Sequence, residues 1–172
     1  MHDLLGIQLE RPLAIAALGD VIGKRTLDLA CGTGRYFRLL IELGAASVVG
    51  VDISPVVVEG AQEALKGDSR FEFRVADCSK PLQVWIEEDG TFDVIFAGYF
   101  LNYASREEDL LGVWHNIYAN LKPGGRFVSI TTNIMMDMEN GIIDFYGFEV
   151  RNIGKVKDGW KRRLISYTDP PR

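Results

Sequence analysis

Thr26-Leu27-Asp28-Leu29-Ala30-Cys31-Gly32-Thr33-Gly34-Arg35-Tyr36 is the stretch that decides the fold of this chain. Strand-type apolar residues run into a turn with two glycines, and the turn opens directly into a helix-forming segment. Eighteen residues after Gly34, a second strand, Ser47-Val48-Val49-Gly50-Val51, ends on Asp52. This layout predicts a cleft at the carboxyl ends of parallel strands, where open α/β sheets hold nucleotide-type ligands. Spacing then narrows the ligand. A dinucleotide-binding turn reads Gly-x-Gly-x-x-Gly, its third glycine letting the helix pack closely on the strand. Counting from Gly32, that third position is Phe37, which cannot do the same job.

The 172 residues suffice for one domain with a substantial core. A hydrophobic content of 47% and a charged content of 25% match a soluble globular protein. No apolar run approaches the ~20 residues of a membrane span. The start, Met1-His2-Asp3-Leu4, lacks the basic-then-apolar pattern of a signal peptide. A net charge of −5 argues against electrostatic binding to nucleic acid. The basic cluster at Lys155, Lys157 and Lys161-Arg162-Arg163 reads as a solvated hairpin face. Cys31 and Cys78, with His2 and His115, have no metal-ligand spacing, so no metal is expected. Free thiols and the absence of a targeting segment predict a cytoplasmic location without membrane association.

Strand and helix patterns alternate from Thr26 to Thr132, which predicts a doubly wound, mostly parallel sheet covered by helices. A leading helix is expected after Arg11-Pro12, with the proline in its first turn. The helix from about Gly34 to Leu43 buries Phe37, Leu40 and Ile41, and Gly44 ends it. Ser54-Pro55 is an N-cap followed by proline at the first helical position, and that helix continues to about Lys66. Phe71 to Val75 alternates as a third strand, and a short helical stretch is expected from Leu82 to Glu87. Phe92 to Ala97 is the fourth strand. Ser105-Arg106-Glu107-Glu108 reads as a capping box opening a helix with a buried stripe of Leu110, Leu111, Trp114, Ile117, Tyr118 and Leu121. Lys122-Pro123-Gly124-Gly125 stops it, and Arg126 to Thr132 forms the fifth strand.

Four landmarks recur in order: Leu27 to Gly34, Val51-Asp52-Ile53-Ser54, Ala76-Asp77-Cys78 and Leu121-Lys122-Pro123-Gly124-Gly125-Arg126-Phe127. In this arrangement the chain resembles class I S-adenosylmethionine-dependent methyltransferases of the small-molecule type, over about Gly19 to Asn133. The resemblance implies a Rossmann-like fold with S-adenosylmethionine as cofactor and S-adenosylhomocysteine as product. It places the turn residues Ala30, Cys31, Gly32 and Gly34 against the methionine part, with Asp28 and Tyr36 also in the cofactor site. Asp52 takes the role of accepting from the two ribose hydroxyls, which suits an acceptor-only carboxylate. Ile53 stands beside it. Asp77 reads the adenine amino group, the Cys78 backbone reads a ring nitrogen, and Ala76 and Ala97 line the same site. Tyr99, Asn102 and Tyr103 are the candidates that face the acceptor. No base is assigned, since the methyl is already activated and a base matters only where the acceptor must lose a proton.

The segment from Ala97 to Tyr103 lacks the Asn/Asp-Pro-Pro-aromatic signature of enzymes that methylate exocyclic amines of nucleic-acid bases; Asp169-Pro170-Pro171-Arg172 lies after the fifth strand and ends in arginine. Two rival functions remain in view. One is a cofactor-binding but non-catalytic regulatory domain. The other, an NAD(P)-dependent oxidoreductase, is disfavoured by Phe37. Residues 1–172 are read as one domain with a core at 19–133 and a helix and hairpin extension at 134–172. In the extension, Gly147–Val156 and Trp160–Tyr167 flank the turn Lys157-Asp158-Gly159. The hairpin is either a shortened pair of terminal strands beside the fifth strand or an inserted substrate-covering element, and the latter is favoured. In that case the terminal antiparallel strands are absent and the fifth strand is an open edge. The chain then reads as a fragment, a catalytically impaired short form or an obligate oligomer, such as a homodimer covering that edge.

Overall fold

Five strands build the parallel sheet: β1 Arg25–Leu29, β2 Ser47–Asp52, β3 Phe71–Val75, β4 Phe92–Gly98 and β5 Leu121–Ile130. The computed structural model describes residues 5–82, 91–104, 106–131, 142–145, 148–157 and 159–166. Strand order is β3-β2-β1-β4-β5, so the chain winds outward from β1 in one direction and then in the other. The switch of direction lies between β1 and β4, and it opens a crevice at their carboxyl ends. The helices are α1 Leu5–Leu18, α2 Arg35–Glu42, α3 Pro55–Ala64 and α4 Glu107–Asn120. Leu18–Thr132 forms one compact unit; Met1–Ala17 with Asn133–Arg172 forms the other.

Strand burial explains the near-continuous apolar runs of β1, β2 and β4. Leu27, Leu29, Val49, Val51, Ile95 and Ala97 share one core with Val113 and Ile117 of α4. A sheet buried on both faces needs apolar side chains at successive positions, not alternate ones. On the other face, Phe37 of α2 is fully buried and stacks on Phe73, ring centroids 4.5 Å apart and nearly parallel. A Cβ on Gly50 would lie 2.2 Å from Phe37 Cζ. The close helix–strand approach that a third turn glycine would allow is therefore replaced by a large ring seated on a strand glycine.

Several boundaries differ from the sequence reading. Pro12 lies inside α1 instead of in its first turn, because the helix begins at Leu5 and continues across the one amide bond that proline forgoes. In α2 the buried set is Phe37, Leu39 and Leu40, with Ile41 only half-buried. In α4 the buried face is Val113, Asn116, Ile117 and Asn120, whereas Leu111, Trp114 and Tyr118 are exposed. Two asparagines on the inner face misled the pattern, since their polarity reads as solvent-facing. Arg106 takes the N-cap position of α4, and its guanidinium bonds Asp109 at 3.1 and 2.8 Å. The three acids in that first turn, Glu107, Glu108 and Asp109, suit the positive end of the helix dipole. Ser105 and most of the helical stretch expected at 82–87 lie outside the described residues. Strand β5 starts five residues earlier than expected, with Leu121 opposite Phe92 and Lys122–Gly125 spanned by a shift in register before Arg126 meets Val94.

In the second unit, β6 Ile142–Phe145, β7 Phe148–Val156 and β8 Gly159–Ser166 form an antiparallel sheet in the order β6-β7-β8. Val156 lies opposite Gly159, which closes the hairpin at the turn the sequence marks. Among the described residues β7 pairs with both β6 and β8, so this unit has a three-stranded sheet of its own. β6 was missed because its four residues follow a Met-rich stretch with no alternation. The helix expected in the extension lies outside the described residues.

Candidate functional site

The turn after β1 is held by unusual backbone geometry. Ala30, Gly32 and Gly34 all have positive φ, at 56°, 54° and 76°. Glycine takes that conformation freely, and alanine does so at a cost on the order of 1 kcal/mol. Short bonds fix the turn: Cys31 N–H donates to Val51 O at 2.9 Å, and Gly34 N–H donates to Cys31 O at 3.0 Å. Asp52 holds it from the neighbouring strand. Its Oδ2 accepts from Gly32 N–H and its Oδ1 from Ser54 N–H, both at 3.0 Å. Each oxygen keeps capacity for a further donor. Space beside Gly32 is open, with nothing within 4 Å of where a Cβ would stand. Ile53, next to Asp52, is 65% exposed and offers an apolar surface beside the carboxylate.

The end of β3 is tied to the same place. Ala76 N–H donates to Asp52 O at 3.0 Å, and the Cys78 thiol lies 3.9 Å from Val51 O. Asp77 Oδ1 accepts from both the amide and the hydroxyl of Ser79, at 2.9 and 2.7 Å. Those bonds, the hydroxyl first, hold the Asp77 carboxyl below its ordinary range, so it stays an acceptor at neutral pH.

Sequence reasoning missed Asn116, the side chain that fixes this loop. From the buried face of α4 its Nδ2 donates to Cys78 O and Lys80 O, both at 2.7 Å, and its Oδ1 accepts from Leu82 N–H at 3.0 Å. One buried amide thus holds the segment that carries Asp77 and Cys78. The signal available was an Asn pair at helical spacing, 116 and 120, within an apolar stripe. Gly112 lets α4 approach, since a Cβ there would meet Ser79 O at 2.3 Å.

Asp28 and the two cysteines form the floor. Asp28 is buried, and one of its oxygens has no hydrogen-bond partner. Burial first, and then the charge of Asp52, pushes its carboxyl well above the usual range. Burial likewise raises both thiols, Cys78 to about 12 and Cys31 further. Neither is a thiolate nucleophile at neutral pH; they are packing residues. Ala97 is wholly buried within the core shared by β1, β4 and α4.

At the end of β4, Gly98 gives way to the Tyr36 ring, which a Cβ would meet at 2.7 Å, and Tyr36 packs on Phe96 with centroids 4.5 Å apart. Tyr99 follows with φ of 61°, a left-handed backbone in a bulky residue, and donates its N–H to Ile130 O at 2.7 Å. A short 3-10 helix, Phe100–Tyr103, comes next. There Asn102 Oδ1 accepts from the Thr131 hydroxyl at 2.6 Å. Tyr103 is 82% exposed. The strand ends therefore gather the turn residues, Tyr36, Asp52, Ile53, Asp77, Tyr99 and Asn102 onto one rim. An open cavity of about 340 Å³ lies at the amino end of β3, lined by Arg38, Lys66, Asp68 and Arg70 among others. Its charges are matched: Arg70 pairs with Asp68, Lys66 with Glu63, and Arg38 donates to Ala64 O. It is not the site. Among the described residues no cluster of His, Cys, Asp or Glu has the makings of a metal centre.

A methyltransferase domain family matches residues 21–158. A demethylmenaquinone methyltransferase of Lactococcus lactis is 35% identical over 134 residues, covering 77% of this chain and 49% of that protein. Among solved structures, an S-adenosylmethionine-dependent methyltransferase from Mesorhizobium loti superposes with a TM-score of 0.61 at 31% identity, over 70% of this chain and 52% of that one. A protein from Pyrococcus horikoshii reaches 0.63 at 26% identity over 93% and 74%. The chain belongs to the methyltransferase domain family, and the cofactor of its S-adenosylmethionine-dependent class is S-adenosylmethionine. It spans about half the length of the curated relatives it matches.

Proposed function

We propose that this domain binds S-adenosylmethionine along the carboxyl ends of β1, β2 and β3 and transfers its methyl group to a small-molecule acceptor, leaving S-adenosylhomocysteine. The observation that carries the reading is Asp52. Its two oxygens each hold one turn amide and retain acceptor capacity, and the exposed Ile53 lies beside it. A vicinal diol is met by such a carboxylate, and an apolar side chain next to it suits the face of an adenine ring. Asp77, kept ionised by Ser79, has its second oxygen to accept from the adenine amino group, with the Cys78 backbone beside it. The glycine turn leaves open space at Gly32 for the methionine part, with Ala30, Cys31, Gly34 and Tyr36 around it. When bound, the cofactor supplies a methyl group activated by a positively charged sulfur. This chain's own task is to orient the acceptor in line and exclude water. Tyr99, Asn102 and Tyr103 are the groups proposed to meet the acceptor. The left-handed Tyr99 and the Asn102–Thr131 bond brace that segment against the end of β5. A small acceptor is favoured by the Tyr99–Tyr103 sequence and by the name of the Lactococcus relative, which acts on a demethylmenaquinone.

A single cytoplasmic domain, with a second copy along the β5 edge, goes with this reading. In support, β5 runs ten residues and pairs only with β4 among the described residues, and no described helix is long and apolar enough to cross a membrane. Calorimetry with S-adenosylhomocysteine tests the cofactor site; micromolar binding is expected, and no binding overturns it. A turnover screen with radiolabelled methyl donor over small aromatic and amine acceptors then separates an enzyme from a binding-only domain.

A further inference from the structure

The β7–β8 hairpin carries a charge pattern opposite to that of the rest of the chain. Between Arg151 and Arg163 there are six basic side chains and one carboxylate, a local balance of +5 in a chain whose total is −5. Arg151 is paired with Glu149. Lys155, Lys157, Lys161 and Arg163 are exposed, and none of them forms an ion pair with a described carboxylate. Solvation alone explains a basic face. It does not explain the apolar side chains among these lysines: Ile153, Val156 and Trp160 are each about half exposed. Lys155 lies directly opposite Trp160, Val156 opposite Gly159, and Ile153 sits where the register shifts between Asn152 and Gly154. The closed end of the hairpin thus combines one indole, two aliphatic side chains and three lysines.

Three partners could answer positive charge, and the residues distinguish them. A second copy pairing symmetrically along β8 would set Lys161-Arg162-Arg163 against the same residues, and like charges facing across strands are destabilising. A nucleic-acid strand uses cations and stacking aromatics but has little use for exposed isoleucine and valine. An anionic bilayer surface uses all three types: aliphatic side chains enter the acyl boundary, tryptophan sits at headgroup level, and lysines reach phosphates along their flexible stems. We propose that the tip of the β7–β8 hairpin docks the domain on an anionic membrane surface, with Ile153, Val156 and Trp160 inserted at the interface and Lys155, Lys157 and Lys161 on lipid phosphates.

The test uses the full chain and sedimentation with sucrose-loaded vesicles. Binding is expected to vesicles of phosphatidylcholine mixed with phosphatidylglycerol, and not to phosphatidylcholine alone. The triple variant Lys155→Glu, Lys157→Glu, Lys161→Glu should lose at least about a hundredfold in partition. Trp160→Ala should lose several-fold and Trp160→Phe much less. These positions lie outside the cofactor-site candidates, so unchanged S-adenosylhomocysteine affinity and melting temperature serve as folding controls. Equal partition of wild type and variants overturns the proposal, as does failure to bind anionic vesicles. Tighter binding to single-stranded oligouridylate than to vesicles overturns it in favour of nucleic acid.

Discussion

The two ends of the parallel sheet use polar groups differently. At the amino ends the described charges are drawn into contacts within the fold. Asp93 accepts from Arg25 N–H at 2.9 Å and from Lys122 Nζ at 3.1 and 3.2 Å, the Arg25 guanidinium lies over Phe92, and Arg126 donates to Asp20 O. At the carboxyl ends, Asp52 and Asp77 each retain acceptor capacity, Asp28 is buried with one oxygen unpartnered, and Ala30 and Tyr99 hold left-handed backbone. One end is built to close on itself. The other keeps spare acceptors and strain, which a folding domain has no use for unless a ligand completes the arrangement.

The sharpest way to break this comparison is Asp52→Ala. Loss of two charge-assisted contacts predicts a fall in S-adenosylhomocysteine affinity of about 100-fold or more, read by calorimetry; an unchanged constant would remove Asp52 from the site. Next is Asn116→Ala. It strips three bonds and leaves two carbonyls and one amide buried without partners, so unfolding by urea should show a loss of about 3 kcal/mol or more. Cofactor affinity should fall with it, because the Asp77–Cys78 loop loses its anchor.

Asp28→Asn probes the floor through pH. A carboxyl raised in the folded state binds more protons there than in the unfolded chain. Its stabilising proton is fully present below the unfolded value and is lost as pH rises towards the folded one. The wild-type melting temperature should therefore drop relative to Asp28→Asn as pH climbs above the ordinary carboxylate range; parallel curves would refute the assignment. Asp93 behaves in the opposite sense. The Arg25 amide first, and then Lys122, hold its carboxyl low, so its contribution is present above the unfolded value and fades as pH falls. Asp93→Ala should cost about 1–2 kcal/mol with cofactor affinity untouched. Smallest of all, Tyr99→Gly should relieve backbone strain and gain up to about 1 kcal/mol while lowering turnover. A stability loss there would argue that the tyrosine ring, not catalysis, justifies its conformation.

The turn, its acidic partners and the alternation of strands and helices in the first half were legible because each depends on local chemistry. Glycines at positive φ, a proline after an N-cap serine and continuous apolar strands announce themselves within a few residues. Asp52 was legible by its spacing at the end of the second strand, though its hydrogen bond to Gly32 was not. What the pattern misplaced was the inner face of α4. A helix face is defined by what packs on it, and Asn116 is buried only because three backbone groups from residues 78–82 meet it there.

Sequence by itself determined that this chain would form a parallel sheet with a crevice at its switch point, and Phe37 disfavoured a dinucleotide turn there. Only the tertiary structure decided that Gly50 makes room for Phe37, that Asn116 anchors the loop carrying Asp77 and Cys78, and that the hairpin gains a third strand in β6. Local conformational preference acts over one turn or one strand and can be read along the chain. Close approach, satisfaction of buried polar groups and choice of strand partner arise between distant segments, and they exist only once the chain has folded.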